Sequence, residues 1–137
     1  MTMTNVAGIA NSNRLQRQFA YDYLGRRISK AVFNWNGSGF GPNPVRQTTF
    51  VYDGWNLLAE LGLNNALLRS YTWGNDLSGT MTRAGGVGGL LMANLSGTNC
   101  FAGYDSNGNL TAFINAADKT LAARYEYSPY GELLRET

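Results

Sequence analysis

The sequence predicts an all-β protein, a curved antiparallel meander of eight to ten short strands joined by hairpin turns. Hydrophobic residues make up 44 % of its 137 residues and charged residues 15 %. Glycine occurs seventeen times, and the aromatic residues are eight Tyr, six Phe and three Trp, a composition that favours strands joined by tight turns. Apolar and polar residues also alternate with period two, the repeat of a half-buried strand.

This alternation assigns the strands in order. In "RQFAYDY" it places Phe19, Tyr21 and Tyr23 on one face, and it recurs in "VRQTTFVY", "ALLRSYTW" and "LAARYEYS". Residues 1–15 are small and polar without a period, so they are expected to be a flexible leader before a single domain, 16–137. The predicted strands are 16–23, 26–35, 45–52, 56–61, 66–73, 89–95, 99–104, 109–115, 120–127 and 132–136.

A turn signature separates several of these strands. It consists of Tyr, a small polar residue, two variable residues, and then Gly or Asn. The small polar side chain can accept a hydrogen bond from the backbone two residues on, and Gly or Asn tolerates positive φ, so each copy is expected to be a hairpin corner. The four copies are "YDYLGR" at Tyr21, "YDGWNL" at Tyr52, "YDSNGN" at Tyr104 and "YSPYGE" at Tyr127.

Residues 19–137 resemble the bacterial RHS/YD-repeat family. The motifs "YDYLGRR", "YDGWNLLAEL", "RSYTWGNDLSGT", "AGGVGGLL", "YDSNGNLTAFIN" and "YEYSPYGELL" carry this resemblance, in this order. In that family the repeats form a spiral β-sheet that winds into a hollow shell. The resemblance implies a fragment of the core region that follows the repeats, with a structural or binding role and without encapsulation or self-cleavage. It also implies that Tyr21, Tyr52, Tyr104 and Tyr127 stack on one face while Asp22, Asp53, Asp105 and Ser128 hold the turns.

Several catalytic classes are disfavoured by composition. The chain has no histidine, which removes the commonest general base and the third partner of a serine triad. Cys100, the one cysteine, is expected to be a small buried hydrophobe. Neither a membrane span nor a secretion signal is recognised, so a soluble, cytoplasmic chain is expected, although the parent family is often secreted or at the cell surface.

The stretch "YDSNGNL" has two interpretations. Asp105, Asn107 and Asn109 stand at positions 1, 3 and 5 of a calcium loop, but Gly108 is misplaced and no glutamate follows at position 12. An Asx-turn in a hairpin is therefore favoured. The alternative is a calcium-dependent hydrolase of an ester or acyl lactone, with Asp118 as a fourth ligand and calcium as the sole candidate cofactor. Its catalytic residues are not identified.

The expected partners follow from the sheet. Uncovered sheet edges pair with other chains, so a homo-oligomer is expected, with an apolar acyl molecule as a further candidate ligand. Residues 1–46 hold six Lys or Arg against Asp22, but an ordinary solvated strand face explains this, so nucleic-acid binding is not favoured. "AGGVGGLL" is read as a flexible loop or bulge and not as a phosphate cradle, since no Lys-Ser/Thr follows it.

Overall fold

The computed structural model describes residues 1–5 and 8–137, and within them the chain is all-β. Eleven strands pair in chain order in one antiparallel sheet, so the predicted antiparallel meander is confirmed. The strands are β1 (Thr2–Asn5), β2 (Leu15–Tyr21), β3 (Arg27–Asn34), β4 (Arg46–Asp53), β5 (Asn56–Leu61), β6 (Leu67–Trp73), β7 (Leu90–Leu95), β8 (Thr98–Tyr104), β9 (Leu110–Asn115), β10 (Leu121–Tyr127) and β11 (Leu133–Glu136).

The ten predicted strands are all present, with ends within two residues of those expected. Strand β1 is additional, and it lies where the sequence predicted a flexible leader. It pairs antiparallel with β2, Met3 opposite Arg17, and the Phe19 amide donates to the Met1 carbonyl at 2.8 Å. Four residues are too few to show a period, but pairing satisfies their backbone groups. The leader positions 6 and 7 lie outside the described residues.

Backbone contacts divide the chain into two units. Unit 1 comprises Met1–Val51 and Glu60–Leu67, and unit 2 comprises Tyr52–Ala59 and Leu68–Thr137. In unit 1, β2 and β3 form a hairpin, and Phe33 is buried. Beyond β3 the chain turns back on itself through a bridge between Trp35 and Phe40, whose rings meet edge to face with centroids 5.3 Å apart.

The core of unit 2 lies on the middle strands of its sheet. Ala93 of β7 and Cys100 of β8 stand opposite each other and are almost fully buried, and Phe113 of β9 packs beside them. The Phe113 ring meets Tyr125 edge to face, with centroids 6.5 Å apart. Cys100 is therefore the small buried hydrophobe that the sequence predicted. None of the described helical segments is long and apolar enough to cross a membrane.

Candidate functional site

The corner at Asp105 joins β8 to β9 through hydrogen bonds from one carboxylate. Its Oδ1 accepts from the backbone amides of Asn107 and Asn109, each at 2.9 Å, and its Oδ2 accepts from Asn109 Nδ2 at 2.9 Å. The Asp105 amide donates to the Asn109 carbonyl, and the Gly108 amide donates to the Asp105 carbonyl, both at 3.1 Å. The Asn109 side chain, with the turn amides, holds the pKa of Asp105 below its usual value. The corner thus has the geometry of the favoured Asx-turn.

The same five-residue arrangement recurs at two other predicted corners. The first residue accepts through its side-chain oxygen from the amides two and four positions on. For Asp22, the amide donors are Leu24 at 2.9 Å and Arg26 at 3.0 Å, and for Ser128 they are Tyr130 at 3.3 Å and Glu132 at 3.1 Å. The fourth position in each corner is a glycine with φ near +80°, a conformation that L-residues rarely adopt: Gly25, Gly108 and Gly131.

The Asp22 corner adds an ion pair to this arrangement. Arg26 Nε donates to Asp22 Oδ2 at 2.7 Å. Partial burial raises the pKa of Asp22, but the hydrogen bonds and charge of Arg26 and the Leu24 amide outweigh that effect, and the net pKa is lowered. A charged carboxylate is therefore the form that stabilises this corner.

The corner at Asp53 differs from this pattern. Only Gly54 and Trp55 separate β4 from β5, so the loop has two residues instead of four. Among the described residues the exposed Asp53 carboxylate accepts no hydrogen bond, and Gly54 takes the positive φ of +54°. The prediction that Asp53 holds its turn is therefore not matched, because the glycine follows Asp53 directly and closes a shorter hairpin.

A further five-residue corner lies at Asp76, in the 16-residue loop between β6 and β7. The Asp76 amide donates to the Thr80 carbonyl at 2.7 Å, and the amide of Gly79, whose φ is +74°, donates to the Asp76 carbonyl at 2.9 Å. In the sequence, "GNDLSG" indicated only a turn. The Asp-x-x-Gly spacing could have identified the corner, but no tyrosine precedes it.

Asp76 is also the buried centre of this loop. Its side chain is 5 % exposed, and its Oδ1 accepts from the Ser78 amide and hydroxyl. Its Oδ2 accepts from the amides of Ala84 at 2.7 Å and Gly86 at 3.3 Å. The Ser78 hydroxyl, followed by these amides, lowers the pKa of Asp76 despite the opposing effect of burial. A charged Asp76 therefore ties both ends of the loop together.

The glycine-rich stretch of this loop is tightly packed. A Cβ at Gly86 would lie 2.7 Å from Asn56 Oδ1, and Asn56 is itself buried and donates from Nδ2 to the Met81 carbonyl at 3.3 Å. The amides of Gly85 and Gly89 donate to carbonyls of the same loop. The Gly86 amide donates to Asp76, so the protein itself accepts the hydrogen bonds of all three glycine amides.

This loop also covers the Asp105 corner. A Cβ at Gly108 would lie 2.7 Å from Leu77 Cδ1 and 2.8 Å from Val87 Cγ1. The two side chains therefore pack so closely on Gly108 that there is no room for a methyl group at its Cα. A Cβ added at Gly88 would likewise lie 3.3 Å from Leu77 Cδ2 and 3.9 Å from the Cα of Gly108. Nearby, the Tyr104 hydroxyl donates to the Leu90 carbonyl at 2.7 Å, and burial raises its pKa. The site is thus a loop packed on a hairpin corner.

The predicted calcium ligands do not all lie together. Asp105, Asn107 and Asn109 share one corner, whereas Asp118 lies in the turn after β9, where it accepts from the Thr120 amide at 2.9 Å and from the Thr120 hydroxyl at 2.6 Å. The Thr120 hydroxyl lowers the pKa of Asp118. Six residues of β9 separate the two turns by about 20 Å. Across residues 1–5 and 8–137, no three or more His, Cys, Asp or Glu are grouped to hold a metal.

Most of the chain is similar in sequence to a curated protein. No family model matches the sequence. The chain is 31 % identical over 115 residues to a protein of Bacillus spizizenii named tRNA3(Ser)-specific nuclease WapA. The aligned region covers 82 % of this chain and 4 % of that protein, so the chain spans a small part of its relative's length. The match supports the resemblance to the RHS/YD-repeat family in broad terms.

Proposed function

We propose that the chain is a structural segment of a YD-repeat β-sheet of the RHS type, which also binds further strands. The observation that carries this proposal is the five-residue corner, built with the same side-chain hydrogen bonds at Asp22, Asp105 and Ser128. Each corner satisfies the backbone at the ends of two strands within the chain itself. A sheet made in this way extends strand by strand.

The edge of the sheet supports a binding role. Strand β11 lies last in the strand order, and all four of its residues are exposed. Its outer backbone groups form a row of donors and acceptors, which is a template for another strand. Leu133 and Leu134 add apolar surface, being 50 % and 64 % exposed. The proposed partner is the β11 edge of a second copy of this chain.

An apolar row on one face of unit 2 also fits a role within a larger assembly. The register places Met92 of β7 opposite Phe101, Phe101 opposite Ile114, and Ile114 opposite Leu121, so the four lie side by side on neighbouring strands. This face is the opposite of the one that buries Cys100, and Phe101 remains 53 % exposed. Contiguous exposed apolar surface of this kind marks interaction sites.

The activity in the relative's name is not proposed for this segment. The chain corresponds to 4 % of that protein and contains no histidine. In addition, the carboxylates of Asp22, Asp76 and Asp105 accept hydrogen bonds from backbone amides and stabilise their turns. A role in the scaffold accounts for these contacts directly.

The proposed pairing of two copies through β11 can be tested with the substitution Glu136→Pro. Thr137 exchanges both backbone hydrogen bonds with Arg124, so the neighbouring pair Glu136 and Tyr125 is of the non-hydrogen-bonded kind, and the Glu136 amide points away from β10. Proline at this position removes an outward donor without breaking the β10 pairing. We expect light scattering to show an oligomer for the native chain and for Glu136→Gln, and a monomer for Glu136→Pro. A native chain that is monomeric at micromolar concentration would contradict the proposed pairing.

A further inference from the structure

One face of unit 1 carries three cations on three adjacent strands. Arg17 of β2 stands opposite Val32 of β3, and Val32 stands opposite Arg46 of β4, so these side chains form one cross-strand row. Lys30 lies two residues before Val32 on β3 and therefore points to the same face. Neighbouring strands lie about 4.8 Å apart, which places the Cα atoms of Arg17 and Arg46 about 10 Å from each other.

Among the described residues, the paired segments of these three strands carry no acidic side chain. Of residues 15–20, 29–34 and 46–49, the charged ones are Arg17, Lys30 and Arg46. The opposite face of the same strands buries Phe33 and is otherwise made of uncharged side chains such as Gln16 and Gln18. The formal charges of these segments are therefore all positive and all lie on one face. Arg27, at the start of β3, adds a further positive charge over the ring of Phe19, which stands opposite Lys30.

The three cations line an open depression of about 390 Å³, together with aliphatic side chains that include Leu15 and Val45. In the part of the chain that the structure describes, none of the three forms an ion pair or a side-chain hydrogen bond. Unlike Arg26, which is paired with Asp22, they keep their hydrogen-bond donors available. Like charges so close together repel, so an anion in the depression would be bound favourably.

We propose that this face binds the phosphate backbone of single-stranded nucleic acid without reading its bases. Guanidinium groups donate two parallel hydrogen bonds to a phosphate, and two of them with a lysine between match a chain that carries one charge per nucleotide. The aliphatic side chains between the cations offer surface to the sugars. The sequence did not favour nucleic acid, because an ordinary solvated strand face explained the excess of cations in residues 1–46.

The experiment measures binding of a labelled single-stranded RNA of about 16 nucleotides by fluorescence anisotropy. Each neutralised phosphate contributes about −0.7 to the slope of log affinity against log salt, so three cations give a slope of about −2. Raising KCl from about 50 to about 200 mM should then weaken binding on the order of twentyfold. RNAs of different sequence should bind equally.

Two double variants, each of which removes two positive charges, distinguish RNA binding by this face from attraction by the net charge of the chain. Arg17→Gln with Arg46→Gln should reduce the slope to about −0.7, because one cation remains. Arg83→Gln with Lys119→Asn removes two exposed cations of unit 2 and should leave the slope near −2. Asparagine suits position 119, where φ is +64°. Equal loss in both variants would show that net charge alone attracts RNA and would overturn the proposal.

Competitors at constant ionic strength identify the anion. Unlabelled single-stranded RNA should displace the probe, whereas polyglutamate and inorganic phosphate should not do so at the same concentration of charge. Displacement by polyglutamate would indicate an acidic protein segment, and displacement by inorganic phosphate would indicate a site for the free ion. Either result, or the absence of RNA binding at the lower salt concentration, would refute the assignment. None of these outcomes affects the test of the β11 edge.

Discussion

Substituting Gly108 tests whether the β6–β7 loop packs on the Asp105 corner. Gly108 has a φ of +79°, where a residue with a Cβ costs roughly 1–2 kcal/mol. Alanine also restricts the unfolded chain, which offsets about 0.4–1 kcal/mol of that cost. Backbone conformation alone therefore predicts that Gly108→Ala lowers the free energy of unfolding by about 1 kcal/mol.

Packing adds a second cost that is specific to this corner. The new methyl group would lie 2.7 Å from Leu77 Cδ1 and 2.8 Å from Val87 Cγ1, well inside the preferred carbon–carbon separation of about 3.5–4.0 Å. Leu77 is 60 % exposed and can rotate away, but Val87 is β-branched and has fewer rotamers. Overpacking of this kind costs about 1–3 kcal/mol, so the total for Gly108→Ala is about 2–4 kcal/mol.

Two glycines of unit 2 provide matched controls. Gly79 and Gly131 occupy the same position in their corners, with φ of +74° and +81°, and a Cβ added at either would have no atom within 4 Å. Thermal unfolding should show a loss of about 4 °C for each control alanine and about 8–16 °C for Gly108→Ala. Equal losses in all three variants would refute the inference that the loop rests on Gly108.

Two further predictions concern the carboxylates. Because the oxygens of Asp105 already accept turn hydrogen bonds and Asp118 lies at the far end of β9, calcium and chelator should give the same melting curve and no turnover of an ester or acyl lactone. Calcium binding at a hundredfold excess would instead raise the melting temperature by about ten degrees, and Asp105→Asn would abolish that rise. The pKa values of Asp22, Asp76 and Asp105 are lowered in the folded chain, so their stabilising effect is complete above about pH 4 and is lost as pH falls through the folded pKa values. Melting curves should show this loss in acid, and a melting temperature that does not fall between about pH 5 and about pH 2 would contradict it.

The elements were predictable because they depend on local signals. Period-two alternation identified ten strands, and the small polar residue followed by glycine identified the corners at Asp22, Asp105 and Ser128. These features act over two to five residues, a range that the sequence displays directly. The predicted strand between Asp105 and Asp118 was also reason to doubt Asp118 as a fourth calcium ligand, since successive turns of a meander lie at opposite ends of its strands.

The remaining features depend on contacts between distant residues. Asp76 became a buried centre because Ala84 and Gly86 fold back onto it, and Gly108 became a packing position because Leu77 and Val87 cover it. The face formed by Arg17, Lys30 and Arg46 exists because the register of two strand pairs aligns the two arginines across β3. The sequence determined by itself ten of the eleven strands, three of the corners and the absence of histidine. Only the tertiary structure decided which side chains meet, because a shift of register by one residue would turn each of them to the other face.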